Sequence, residues 1–456
     1  MVNMQLDSHA TASAQSAGPA LEDLFNDEAI APLGTATVES MGDLSNPMVM
    51  RTYYSRLFPF KQLFLWLNQA HAPTKQWTHR EFAFTLQNDA YLRYQSFNTA
   101  EDLRAEIIRL NPSRFEIGPE YSGRPNARKA LMKSAFRPLT RELVFDIDMT
   151  DYDSVRTCCK DKAMCRRCWK FITVAVKVLD ELLRQDFGFS HLLWVYSGRR
   201  GIHLWISDPS AMDLTDDQRS AIVRYIDMVK GYTTMDKRMG LIRPLHPTVE
   251  RAFKQHLAPA FAGIVLADQE CLKDEEQWSN VVKLIPDKEK ANTLYKEIPP
   301  TSSLSSRKRW DAIRVVPSAP QSATAAVKEK IEQKHADAVN DIIIQYTYPR
   351  IDTEVSRKLN HLLKAPFCVH PGTGKVCVPL LASQIDSFDP DSVPTVGSLL
   401  MEIEALVRQG GGANKYADWS RTSLRPYVEI LEKHAEGVAR ERVRLNKAAK
   451  AHSMEF

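Results

Sequence analysis

Hydrophobic and polar positions alternate in three short stretches of the chain. In REFAFTLQNDAYLRYQSF, residues 80–97, two alternating runs flank Asn88 and Asp89, which predicts a β-hairpin. In ELVFDIDM, Leu143, Phe145, Ile147 and Met149 alternate with Glu142, Val144, Asp146 and Asp148, so one face of a strand enters a core and the other carries charge. HLLWVY and IHLWIS flank the turn SGRRG, with Ile202, Leu204 and Ile206 on one face and His203 with Trp205 on the other. The period changes in WKFITVAVKVLDELLRQDF, where Phe171, Ile172, Ala175, Val178, Leu179, Leu182 and Leu183 recur at helical spacing and stop before Gly188. Met50 through Leu67 also reads as helix.

From 211 to 343 the character is different. Helical segments alternate with Pro-containing and polar loops such as TSSLSSRKRW and PSAPQSATAA, which predicts a helical subdomain inserted into an α/β core. The β-branched style returns at YPRIDTEV, and the core resumes over 344–432. The core therefore divides into 48–210 and 344–432. Residues 1–47, rich in Ala, Ser, Thr and acids, read as a disordered tail, and 433–456 as a basic tail ending in a frayed helix.

Composition narrows this reading only a little. The chain has 456 residues, 44% hydrophobic and 25% charged, with a mean hydropathy of −0.33. It contains no apolar run near the ~18 residues a bilayer span needs and no charged-then-apolar start, so the expectation is a soluble intracellular protein with no membrane partner. A net charge of +4 permits a polyanionic partner without requiring one.

The candidate chemistry is concentrated at four places. Asp146 and Asp148 leave the same strand face about 6.5 Å apart, and a divalent cation relieves the repulsion between two such carboxylates. A pair of Mg2+ or Mn2+ ions between acids is the arrangement that activates a 3′-hydroxyl in polymerases, although a bare D-x-D is more often the polar face of a solvated strand. Asp352, isolated on a short β-like run, is the candidate third acid, while Asp151 and Asp153 read as turn residues. The SGRRG turn offers Ser197, Arg199 and Arg200, followed by His203. Guanidinium forks and an imidazole suit a triphosphate, but a surface turn with two solvated arginines fits as well. Lys364 and His370 could add positive charge beside Asp352; Val376 after GTGK rules out a Walker-type loop. Finally, Cys158, Cys159, Cys165 and Cys168 offer four thiolates within eleven residues, enough for a closed structural Zn2+ site, the alternatives being buried thiols without a metal or an iron–sulfur cluster. Cys271, Cys368 and Cys377 read as small core residues.

ELVFDIDMTDYD, the cysteine pattern, SGRRGIH and PRIDTEVSRKLNHLLKAPFCVHPGTG, in this order, resemble the small catalytic subunit of archaeal and eukaryotic replicative primases, over about residues 50 to 430. The cysteine pattern is similar to the eukaryotic branch. The resemblance implies a mixed α/β primase core with an inserted helical subdomain and a small zinc-binding motif at 158–168. It implies DNA-dependent RNA primer synthesis, with Asp146, Asp148 and Asp352 as the metal-binding catalytic acids. Ser197, Arg199, Arg200, His203, Lys364 and His370 would then hold the incoming nucleotide, and Glu81, Tyr91 and Arg93 match family positions near the active site. It further implies a large subunit carrying an iron–sulfur cluster as heterodimer partner, assembly with DNA polymerase alpha, single-stranded DNA and ribonucleoside triphosphates as substrates, and a place in the nucleus. Two rivals remain at this level: a zinc-dependent nucleic-acid-binding module without catalysis, and an enzyme of the same fold that prefers deoxynucleotides.

Overall fold

The computed structural model describes residues 41–453 apart from 228–234, 236–238, 240, 319 and 410–417. The first helices are α1 (Pro47–Arg56) and α2 (Phe60–Asn68). The sequence reads as one helix here, but the chain breaks at Leu57 to Pro59 because proline has no N–H to continue the ladder. Strands β1 (Arg80–Thr85) and β2 (Tyr91–Gln95) form the expected hairpin, with Asp89 at φ 61° in its turn. Helix α3 (Ala100–Leu110), with a Thr99/Asp102 capping box, leads into β3 (Arg114–Tyr121), which returns antiparallel to β1. A loop then reaches the short β4 (Pro138–Thr140).

β5 (Leu143–Asp148) opens a second sheet. It pairs with β7 (Gly201–Ile206), which pairs in turn with β6 (Leu192–Tyr196). Helix α4 (Arg166–Phe187) lies between them in sequence and ends on Gly188 at φ 73°. From Pro209 to Thr347 the described residues hold helices and no strand, including α5 (Asp216–Ile226) and α6 (Ala325–Thr347). The chain then returns through the short helix α7 (Thr353–Arg357), and two-residue strands complete both sheets: β8 (Leu363–Lys364) beside β3 and β9 (Pro379–Leu380) beside β6. Helices α8 (Val396–Arg408) and α9 (Arg425–Ser453) close the fold.

The sheets therefore run β2-β1-β3-β4, with β8 also on β3, and β5-β7-β6-β9. A fully buried ion pair joins them at the base, where Arg80 of β1 donates to both oxygens of Glu142 at 2.8 and 3.1 Å. Both ends of this pair are satisfied, so removing one would strand the other charge at a cost of about 3–5 kcal/mol. Nearby, the buried Arg219 of α5 donates to the carbonyls of Glu142 and Met212, which fixes the helical region to the start of β5.

Four expectations need correcting. Glu142, Val144, His203 and Trp205, read as the outward face, are all buried. Trp205 is covered by α2, whose Trp66 meets it edge to face at 5.3 Å while its indole N–H donates to Ser207, Glu142 is covered by its Arg80 pair, and His203 lies in the cleft opposite Asp146. Residues 1–40 of the expected tail lie outside the described residues. Its remainder is ordered: Met41 is in the core and Gly42 packs against Gly397. The basic tail expected from 433 is the continuation of α9, in which Val428, Leu431, Ala435 and Val438 are buried. Asp352 is not on a strand; it is the N-cap of α7, accepting from the Glu354 N–H at 2.9 Å.

Candidate active site

Asp146 and Asp148 project from the end of β5 that α2 leaves open. Two features bring Asp352 to them. Its backbone N–H donates to the Asp146 carbonyl at 2.9 Å, and its capping role aims the carboxylate back along the start of α7. One cleft of about 480 Å³ is lined by all three acids together with Ser197, Arg199, Arg200, His203, Lys364 and His370. Residues roughly 200 positions apart in sequence thus share one pocket.

The electrostatics fit a cation-binding site. The Asp146 carboxyl is pushed up to about 7, first by burial and then by repulsion from Asp148 and Asp352. Asp151, read from sequence as a turn residue, belongs to the same field; burial and the same two acids raise it to about 6. Arg200 lies across Asp148 with its Nε 2.8 and 3.0 Å from the two oxygens, and Asp148 also accepts from Thr150. Carboxylate oxygens are the donors that Mg2+ or Mn2+ takes, so acids that share one cleft and repel one another suit such ions by their chemistry.

Glycines let the strands and turn close up. A Cβ at Gly201 would come within 2.6 Å of the Ile147 carbonyl, so only glycine lets β7 approach β5 beside Asp148. Gly198, at φ 89°, has the His370 Cβ 2.7 Å from where its own would be. The turn is also tied to the returning chain: Lys364 Nζ donates to the Ser197 carbonyl at 2.6 Å and the Thr373 hydroxyl to the Gly198 carbonyl at 2.7 Å. Ser197 Oγ accepts the Gly201 N–H at 3.0 Å, which leaves its own O–H free to donate. Burial and the nearby Lys364 hold His203 down to about 3, and its Nε2 lies 3.6 Å from Asp146. His370 is held down to about 4 by burial and the surrounding cations; its Nδ1 accepts from Gly372, so its proton is on Nε2.

Glu81, Tyr91 and Arg93 stand just behind this pocket rather than in its lining. Arg93 forks the buried Glu81 at 2.9 and 3.2 Å, and the Tyr91 hydroxyl donates at 2.6 Å to Glu116, which does line the cleft. Sequence reasoning missed Arg114, Glu116, Lys162 and His361, which also line it. The first two had a readable signal: in RFEIGPEY, Arg114 and Glu116 alternate with Phe115 and Ile117.

The four clustered cysteines converge so that their Sγ atoms all lie within 4.8 Å of one another. Sulfurs at tetrahedral corners about 2.3 Å from a zinc ion are about 3.8 Å apart, so this set fits Zn2+ with no open position. Gln269 braces the cluster from the helical region. Its amide oxygen accepts from the Thr157 and Cys158 N–H groups, and its nitrogen donates to the Cys158 sulfur at 3.2 Å. Cys271, Cys368 and Cys377 are buried as expected.

Among the described residues no helix is long and apolar enough to cross a membrane. Residues 145–381 match the family model described as DNA primase small subunit. The chain is 48% identical over 394 residues to the DNA primase small subunit of Schizosaccharomyces pombe, covering 86% of this chain and 85% of that one. It is 38% identical over 411 residues to the protein of the same name from Saccharomyces cerevisiae, covering 89% and 94%, and 36% identical over 430 residues to that of Drosophila melanogaster, covering 90% and 95%. With matches of this extent running through both sheets and the cleft between them, the chain belongs to the DNA primase small subunit family, the nucleotidyltransferases that prime DNA synthesis.

Proposed function

We propose that this chain joins ribonucleoside triphosphates into short RNA primers on single-stranded DNA by a two-metal mechanism, with Asp146, Asp148 and Asp352 holding two Mg2+ or Mn2+ ions. When bound, such a pair supplies the charge that makes a 3′-hydroxyl nucleophilic and offsets the leaving pyrophosphate. The chain's own side chains do the rest. Arg199, which no acid pairs with among the described residues, and Arg200, whose fork a phosphate can draw from Asp148, bind the triphosphate. Lys364 adds a point charge beside the turn. Ser197 and His370 donate O–H and N–H bonds without adding charge, which orients the phosphates for in-line attack. His203, neutral and against Asp146, fixes that carboxylate. Glu81, Tyr91 and Arg93 position the wall through Glu116.

The observation that carries the reading is the meeting of Asp352 with the β5 acids in an arginine-lined cleft. We further propose that the cysteine cluster holds a structural Zn2+. The relatives' name, small subunit, supports a large-subunit partner, for which the family resemblance supplies the iron–sulfur protein, the DNA polymerase alpha complex and a nuclear setting.

The test is extension of an RNA-primed poly-dT template with ATP or dATP in the presence of manganese. ATP should be preferred, and Asp352→Ala should lower incorporation on the order of 10³-fold. Equal use of dATP would favour the deoxynucleotide rival, and an Asp352→Ala chain working at the original rate would overturn the assignment.

A further inference from the structure

Residues 122–137, between β3 and β4, carry Arg124, Arg128, Lys129, Lys133 and Arg137 and no acid. All five cations are exposed. Among the described residues no acid pairs with Arg124, Lys129, Lys133 or Arg137, and Met132 is 75% exposed beside them. An unneutralised, single-sign loop of this kind repels itself, a cost that a solvated surface ordinarily avoids by interspersing acids.

The loop is nevertheless built. Its base is closed by the Ser122 N–H donating to the Arg137 carbonyl at 2.9 Å and by Phe136 stacking on Tyr121 at 4.2 Å with the rings 2° from parallel. Arg128 lies over the Tyr94 ring, 3.8 Å from its centroid.

From here a continuous strip leads to the cleft. On the face of the first sheet turned from the core, Thr85 is opposite Tyr91 and Arg114, Ala83 is opposite Glu116, and Glu116 is opposite Lys364. Next along the same face come Arg93 and Glu81, and Glu81 accepts from the Tyr94 N–H and the Tyr121 hydroxyl, each at 3.1 Å. Arg114, Glu116 and Lys364 are walls of the carboxylate pocket. Cations set along one sheet face beside the exposed Tyr91 ring are what a single strand needs, since phosphates follow the charge and bases find a π-face.

We propose that loop 122–137 and the strip behind it form a track for single-stranded DNA that leads the template to the pocket. The proposal takes from the preceding reading only that the pocket is where template and nucleotide meet.

The experiment is fluorescence anisotropy of the full chain with a labelled mixed-sequence single-stranded DNA 20-mer, without nucleotide or added divalent ion, across a salt series. With Lys129→Ala, Lys133→Ala and Arg137→Ala combined, the slope of log K against log salt should fall by roughly 2, about 0.7 for each phosphate no longer neutralised. Affinity at low salt should fall about 10-fold or more. The charge-preserving set Lys129→Arg, Lys133→Arg and Arg137→Lys should bind like the parent. An unchanged slope in the alanine chain would overturn the proposal. So would an equal loss in the charge-preserving chain, or a loss confined to an RNA–DNA duplex. Failure of the catalytic reading would leave these binding values untouched, because no catalysis occurs in the assay.

Discussion

The thiolate cluster and the acid pocket occupy neighbouring stretches of chain and are built in opposite ways. Four cysteines from eleven consecutive residues bring their sulfurs within 4.8 Å of one another, braced by Gln269 and closed to further ligands. The acids come from β5 and from Asp352 far downstream, repel one another, and face a cleft that also holds Arg199 and Lys364. A local closed set suits a bound ion that pins the fold; a set assembled from distant segments, open on one side, suits ligands that come and go. Removing ligands should therefore change stability in opposite directions at the two sites.

The largest effect is expected at the acids. Asp146→Ala with Asp148→Ala should cut primer extension on the order of 10³-fold or more. Without added divalent ions, Asp146→Ala alone should raise thermal stability, on the order of 1 kcal/mol, because a buried carboxylate repelled by Asp148 and Asp352 has been removed. The Asp146 carboxyl titrates at about 7 against an ordinary 3.8. The charged form is thus the one that costs stability, so the gain is full above about pH 7, shrinks as pH falls and vanishes below about pH 4. Calorimetry at about pH 8 and about pH 4 checks this, and a lower melting temperature at the higher pH would break the contrast.

Next come the thiolates. Cys165→Ser with Cys168→Ser should lose bound zinc by elemental analysis and several kcal/mol of stability, with extension falling only as the chain unfolds. An unchanged melting temperature would show that the cluster does not pin the fold.

Arg200→Lys keeps the charge on Asp148 but loses the fork. It should raise the KM for the nucleotide about 10-fold with a smaller effect on kcat. The smallest effect is Gln269→Ala, which unpairs the Cys158 brace and should cost about 1 kcal/mol in chemical unfolding while leaving extension intact.

How much of this was legible in the sequence differs between the two sites for the same reason. The cysteines could be read from spacing alone, because their convergence is set within one loop and the first turn of α4. Period-two alternation exposed the hairpins and the D-x-D strand, because a half-buried strand writes its environment into every second residue. Asp352 could be nominated from its isolation among acids and from the resemblance but not placed, since its position depends on a backbone bond to Asp146 across the fold. β8 and β9 have two residues each, too few to carry a period. The burial of Trp205 depends on α2 crossing its face, a tertiary fact that alternation along β7 does not contain. Arg114 and Glu116 were readable as alternation, but nothing marked that strand as a pocket wall.

The two-residue strand β9 has a consequence for how the protein is made. β6 leaves the ribosome with one edge unpaired, and the segment that covers it follows only after the helical region, about 180 residues later. At ordinary translation speeds of about 5–20 residues per second, that edge waits roughly 10–40 s. During synthesis it is a template for pairing with other nascent chains, so truncation before Pro379 should yield aggregates rather than a smaller soluble enzyme.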